Sequence, residues 1–281
     1  MADAKRIGFV DYKLDNFHAN TYLAAFREKL KGRGYTVAGC YANEEAEGKV
    51  WTAKKDVRYF SDPHEMNEHV DFYCVLAPSH PQTHLDLCRK VMPFGKPTYV
   101  DKTFAPDLKT AKEIFELADQ HRTAVQTSSA LRYTDVQKKV QAHGKQSLKH
   151  MIAWGAGSSF AEYAIHPLEM VISCMGAECQ SLMRRGTGEY SQILLNFSHD
   201  RTAVVNVYTT GDTPFAAALT TAKTTEYVKV DQTTLFTNMA AGILDFFDQR
   251  QALVDRSESL MIRRILDVCA DPRALEESVT V

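Results

Sequence analysis

No apolar run in this chain approaches the roughly 20 residues that cross a bilayer, so no membrane-spanning helix is expected. Basic blocks are also missing: 33 Lys and Arg stand against 35 Asp and Glu, a net charge of −2. Nothing therefore points to nucleic acid. The six cysteines (Cys40, Cys74, Cys88, Cys174, Cys179, Cys269) include no Cys-x-x-Cys pair, which argues against structural zinc. Several lie in apolar runs, as buried free thiols do, and suggest a reducing, cytoplasmic compartment. The opening Met-Ala-Asp-Ala-Lys-Arg leads straight into a strand pattern and leaves no room for a signal peptide. No His, Asp and Glu spacing makes a metal site, and no Ser or Cys sits in a nucleophile motif. Repeats and low-complexity segments are absent. What remains is ordinary globular composition, 44% apolar and 24% charged, in 281 residues, enough for one large domain or two.

Residues 1–127 alternate strand and helix patterns. Strands are expected at Arg6–Val10, Tyr35–Tyr41, Lys55–Phe60, Asp71–Ala77, Thr98–Val100 and Thr123–Thr127. Helices are expected at Asn20–Lys31, Gln82–Val91 and Leu108–His121, with a helical turn near Pro63–His69. Near-continuous apolar strands between amphipathic helices imply a doubly wound parallel sheet. After about residue 130, strand candidates follow one another, with a hairpin turn at Ser198–Arg201. One helix begins near Pro167, and two more close the chain, the second opening on the capping-box pair Asp255 and Glu258. This is the pattern of an α+β domain with a mostly antiparallel sheet. The expected domains are 1–127 and 128–281.

The most informative stretch is Lys96–Thr103. Thr98–Val100 reads as a short buried strand, and Asp101 and Lys102 fall where it ends. Open parallel sheets bind ligands outside the carboxyl ends of their strands. An amine there can move a proton if desolvation or a cationic neighbour brings its pKa toward neutrality. A lone lysine after a strand is usually a surface residue, but here the flanking pattern favours a site.

Four features in order carry a resemblance. Asp101-Lys102-Thr103 is similar to a Glu-Lys-Pro motif. Ala77-Pro78 leads to His80 and His84. Arg132-Tyr133 follows the sixth strand. Glu162-Tyr163-Ala164-Ile165-His166 is similar to Asp-x-x-x-His. Together with the change of texture near residue 130, the chain resembles the glucose–fructose oxidoreductase / inositol dehydrogenase (Gfo/Idh/MocA) family. The resemblance implies an α/β chain with an N-terminal Rossmann-like domain and a C-terminal α+β domain for substrate binding and oligomerisation. It implies NAD or NADP, a hydroxylated small-molecule substrate of the sugar or polyol kind, and a homodimer or homotetramer. Lys102 would be the acid/base. His166, neutral at a helix N-terminus, would bond the reacting oxygen, and Glu162 would orient Lys102 or a second hydroxyl. All three are expected to converge in one cleft. Cofactor contacts are expected from Asp11, Tyr12, Lys13, Leu14, Asn16, Tyr41, Ala77, Pro78, His84, Asp101 and Arg132.

The chain also departs from the pattern. Gly-x-Gly-x-x-Gly should follow the first strand, and Val10–His18 contains no glycine. Asp15 or Asn16 is expected to cap the helix and occupy amides a phosphate would use. Asp11 and Asp15 add negative charge there, offset only by Lys13. The acidic residue expected after the second strand is replaced by Tyr41-Ala42-Asn43. Two function classes stay open: an NAD(P)-dependent oxidoreductase with an altered phosphate loop, or a cofactor-free descendant that binds small molecules or runs other chemistry.

Overall fold

The computed structural model describes residues 4–281, which divide into two compact units. One unit runs to Ser128 and takes in Phe236–Asp255; the other holds Ser129–Leu235 and Arg256–Val281.

The first unit is built on five strands: β1 (Lys5–Asp11), β2 (Tyr35–Ala42), β3 (Phe72–Val75), β4 (Thr98–Val100) and β5 (Val125–Thr127). Their order is β2-β1-β3-β4-β5, and every pairing is parallel. β3 and β4 are buried throughout, which is why they read as unbroken apolar runs. The helix Leu108–Gln120 buries Ala111, Ile114, Phe115 and Ala118, the stripe its spacing predicts, and Asp107 caps it through the Thr110 amide at 2.7 Å. The expected strand Lys55–Phe60 is not formed. Glu45–Lys55 is a helix, with Glu45 and Glu47 in its first turn and Lys54 and Lys55 in its last, matching the helix dipole. Buried Trp51 anchors it, and only Tyr59 keeps a parallel bridge, to Cys40. The first helix, Phe17–Arg27, starts three residues earlier than its apolar spacing suggests, because Asn16 is the cap.

The second unit is a seven-stranded sheet of β6 (Leu148–Ala156), β7 (Cys179–Arg185), β8 (Tyr190–Phe197), β9 (Arg201–Tyr208), β10 (Ala216–Thr221), β11 (Thr225–Lys229) and β12 (Val279–Thr280). The order is β11-β10-β6-β9-β8-β7-β12, and only the β6–β9 pair is parallel. His199 and Asp200 turn the β8–β9 hairpin, both with positive φ (61° and 55°). Ile193, Leu195, Val205 and Val207 are buried, as are Leu168, Val171 and Ile172 of the helix Ile165–Met175. A helix at Asp135–His143, not anticipated from the sequence, opens on a Thr134–Gln137 capping box.

The sequence reading placed all of 128–281 in the second domain. Residues 236–255 instead return to the first unit, where Phe247 stacks on Phe72 at 4.7 Å and Val254 donates its amide to Gln126. Among the described residues no helix is long and apolar enough to cross a membrane. All six cysteines are free and buried.

Candidate functional site

The carboxyl ends of β1, β3 and β4 bring together most of the expected cofactor residues. Asp11 closes β1 with its carboxylate turned inward, 1% exposed. That carboxylate accepts the Lys13 amide at 3.0 Å, Asn16 Nδ2 at 2.8 Å and the Ala77 amide. Burial pushes the Asp11 carboxyl up to about 7, even against these three hydrogen bonds. Asn16 caps the helix by accepting the Ala19 amide at 3.0 Å, and its Nδ2 also reaches Lys13 O at 2.6 Å. Side chains thus close the turn that glycines make elsewhere. Leu14 is wholly buried and presents no surface to a ligand, which corrects its expected place among the cofactor contacts. The Lys13 ammonium pairs with Glu47 at 3.1 Å. Tyr12 lies against the His80 ring at 4.7 Å, and its hydrogen bond to Glu44 holds the phenol above its ordinary pKa. Tyr41 donates to Asn43 Oδ1 at 3.3 Å beyond β2.

After β3, Ala77 adopts a φ of 46°, uncommon for a residue with a Cβ. His84 is fully buried: Nε2 lies 2.7 Å from Leu76 O, and Nδ1 lies 3.0 Å from Phe104 O. Its burial holds the imidazole below its ordinary pKa. His84 ties the loop after β3 to the loop after β4, and it reaches a ligand only through them.

Asp101 follows β4 with no exposed surface. Its Oδ2 lies 2.5 Å from His18 Nδ1, and its Oδ1 lies 3.2 Å from the Tyr99 hydroxyl. Burial opposes the charge, but His18 and Lys102 hold the carboxyl below the usual carboxylate range. The half-buried Lys102 has its Nζ 3.5 Å from Pro78 O. Thr103 stands where the motif has proline, and the Lys102–Thr103 peptide is cis.

In the second unit, His166 is the second residue of Ile165–Met175. A helix does begin there, as expected, but its N-terminus is not open. A helical turn, Phe160–Tyr163, precedes it directly and is capped by Ser159, so the first open amides lie nearer Ser159. The Ser129 hydroxyl sits 2.7 Å from His166 Nδ1. Glu162 is exposed on the capped turn. Arg132 is committed within its own unit: it pairs with buried Glu169 and with Glu258 at 2.6 Å, and Lys145 meets Glu258 at 3.1 Å. Only its Nη2, also buried, has no partner among the described residues. Burial raises the Glu169 carboxyl despite Arg132. Sequence reading gave no part to Ser129 or Glu169 and left His18 as a cap or a neighbour of the cofactor pocket. An isolated serine or a helix-start histidine carries no periodic or motif signal.

Residues 6–129 match the model of the Gfo/Idh/MocA family, described as an oxidoreductase family with an NAD-binding Rossmann fold. No curated protein matches the sequence. Similar solved structures include apo scyllo-inositol dehydrogenase from Lactobacillus casei, 12% identical with a TM-score of 0.82 over 100% of this chain and 99% of that one. Myo-inositol 2-dehydrogenase from Lactobacillus plantarum is 12% identical, with a TM-score of 0.81 over 99% of both chains. A probable dehydrogenase from Thermotoga maritima is 13% identical, with a TM-score of 0.80 over 98% of both. At these identities the structural likeness speaks for the fold. Residues 6–129 are thus similar to the Gfo/Idh/MocA oxidoreductases, the family that the chain's motifs resemble.

Proposed function

We propose that this protein is an NAD(P)-dependent oxidoreductase that interconverts a secondary alcohol and a ketone on a sugar- or inositol-like molecule in the cytoplasm. The observation that carries the reading is Lys102 at the carboxyl end of β4, in a parallel sheet whose sequence matches an NAD-binding oxidoreductase family. Similar structures, inositol dehydrogenases and a UDP-N-acetylglucosamine 3-dehydrogenase among them, support the substrate class.

The residues present are compatible with a nicotinamide nucleotide. Asp11 does not project its charge into the phosphate position; it is buried and satisfied by Lys13, Asn16 and Ala77. Tyr12, Lys13, Asn16, Tyr41 and Pro78, which keep exposed surface, would hold the cofactor at the strand ends. When bound, the nicotinamide supplies the hydride acceptor. Lys102 Nζ takes or returns the hydroxyl proton. His166, whose Nδ1 lies 2.7 Å from the Ser129 hydroxyl, and Glu162 are the proposed substrate contacts of the second unit.

The assembly we propose is a homodimer or a dimer of dimers built on the second-unit sheet. One face of that sheet is covered by its own helices. On the other, Ile152, Val204, Leu194 and Met183 are direct cross-strand neighbours and only half-buried, an apolar row across four strands. Turnover of inositols and sugars with NAD and NADP tests the function. Lys102→Ala should lower kcat by about 10²–10⁴-fold, the worth of a positioned acid/base. Undiminished turnover in that variant would reject the assignment.

A further inference from the structure

Ser129 caps the short turn Ala130–Arg132, and its hydroxyl oxygen lies 2.7 Å from His166 Nδ1. We propose that Ser129 is a positioning residue that fixes the tautomer of His166, with the ring hydrogen on Nε2, so that His166 meets the reacting oxygen as a hydrogen-bond donor and not as a base. This rests on the oxidoreductase reading above and names the part His166 plays in it.

Ser129 is 1% exposed, so bulk water does not satisfy its hydroxyl. As the cap of the turn, the oxygen accepts the Leu131 amide at 3.4 Å. The hydroxyl also carries one hydrogen, and a buried donor is rarely left unpaired. Among the described residues it meets no acceptor other than His166 Nδ1. The hydrogen of the 2.7 Å contact therefore resides on the serine, and Nδ1 presents its lone pair. In a neutral imidazole the ring hydrogen then resides on Nε2. The reverse arrangement, with Nδ1 donating, would aim two donors at the serine oxygen and leave the serine's own hydrogen without an acceptor.

Both partners are held. His166 and Glu169 stand three residues apart on the helix Ile165–Met175, a spacing that places them on one helix face. Both meet Ser129 there: His166 takes the hydroxyl, and the Glu169 carboxylate accepts the backbone amide. Glu169 is itself buried and paired with Arg132, which also reaches Glu258 at 2.6 Å. This array keeps Ser129 from swinging away from the ring. On the imidazole side, the Tyr163 and Phe215 rings stand at 5.6 and 6.4 Å between ring centres and restrict its rotation.

An N–H at Nε2 has a defined use in this chemistry. In the oxidation of a secondary alcohol, the O–H bond breaks as Lys102 Nζ takes the proton, and the C–H pair leaves as hydride to the nicotinamide. Negative charge develops on the oxygen as its proton leaves. A fixed N–H donor stabilises that charge without gaining or losing a proton, and in the reverse direction it polarises the carbonyl. The proton is thus handled at Lys102 alone.

A serine that only capped the turn would accept the Leu131 amide equally well and leave the imidazole indifferent, so the test reads the tautomer. In full-length protein without nucleotide, at a pH high enough that the ring nitrogens no longer titrate, nitrogen NMR of His166 should show hydrogen on Nε2 and a bare Nδ1. Ser129→Ala should lose this bias and populate both tautomers, and Ser129→Thr, which keeps the hydroxyl, should restore it. Hydrogen on Nδ1 in wild type, or a tautomer unmoved in Ser129→Ala, would overturn the proposal. With myo-inositol and NAD or NADP, Ser129→Ala should lower kcat/KM about 3- to 10-fold, the worth of one hydrogen bond. His166→Gln, which keeps an N–H donor but cannot act as a base, should lose less turnover than His166→Leu. Equal losses in the two would overturn the donor role. A wild type that oxidises no inositol or sugar with either nucleotide would remove the oxidoreductase reading, and the donor role with it, whatever the tautomer.

Discussion

Asp11→Asn is the most revealing single change in the first unit, because Asp11 is where the missing glycine loop is replaced by a buried carboxyl. The folded protein holds this carboxyl at about 7, against an ordinary value of 3.8, chiefly through burial. The unfolded chain releases the proton near pH 4 and the folded chain keeps it to near 7. Stability therefore falls as pH rises through that window and levels off above it. At roughly 1.4 kcal/mol per pH unit the whole window is worth about 4 kcal/mol. Asparagine can still accept the Lys13 amide through Oδ1, but it leaves Asn16 Nδ2 without its 2.8 Å acceptor, a constant cost of about 1–2 kcal/mol. The variant should thus be less stable than wild type near pH 4 and more stable at pH 8, with the curves crossing between. Urea unfolding at several pH values, corrected for the m-value, reads this directly. A difference between the two proteins that does not change with pH would refute the reasoning.

Arg132→Met should destabilise the second unit by about 3–5 kcal/mol, because it leaves Glu169 buried without its cation and Glu258 with Lys145 alone; the double variant Arg132→Met/Glu169→Gln should recover part of that in denaturant unfolding. Val204→Arg, in the half-buried row Ile152-Val204-Leu194-Met183, should convert the proposed dimer to a monomer in light scattering at micromolar concentration, with the fold kept by circular dichroism. A wild type already monomeric there would contradict the proposed assembly.

Much of the architecture is legible because buried parallel strands leave apolar runs and amphipathic helices leave stripes. Thr98–Val100 and the stripe Ala111, Ile114, Phe115 and Ala118 are read correctly from those signals alone. Glu45–Lys55 is missed because its mean hydropathy is low and a single aromatic, Trp51, anchors it. The return of Phe236–Asp255 to the first unit is invisible locally, since an apolar helix face does not say which sheet it covers. The site is only half legible for a related reason. Lys102 sits in a motif, whereas the roles of Asp11, His18, Ser129 and Arg132 depend on partners far away in sequence. Arg132 illustrates this: its place after β5 suggests a cofactor contact, but Glu169 and Glu258 already occupy it.

The central claim is that this strand-end site binds a nicotinamide nucleotide despite its glycine-free loop. Fluorescence titration of purified protein with NADH and NADPH tests it most directly. We predict saturable binding of at least one nucleotide below millimolar concentration, tightened in Asp15→Asn, which deletes one exposed negative charge next to the Asn16 cap while leaving that cap in place. Failure of both nucleotides to bind wild type and variant at millimolar concentration would contradict the account and leave a cofactor-free descendant of the fold in its place.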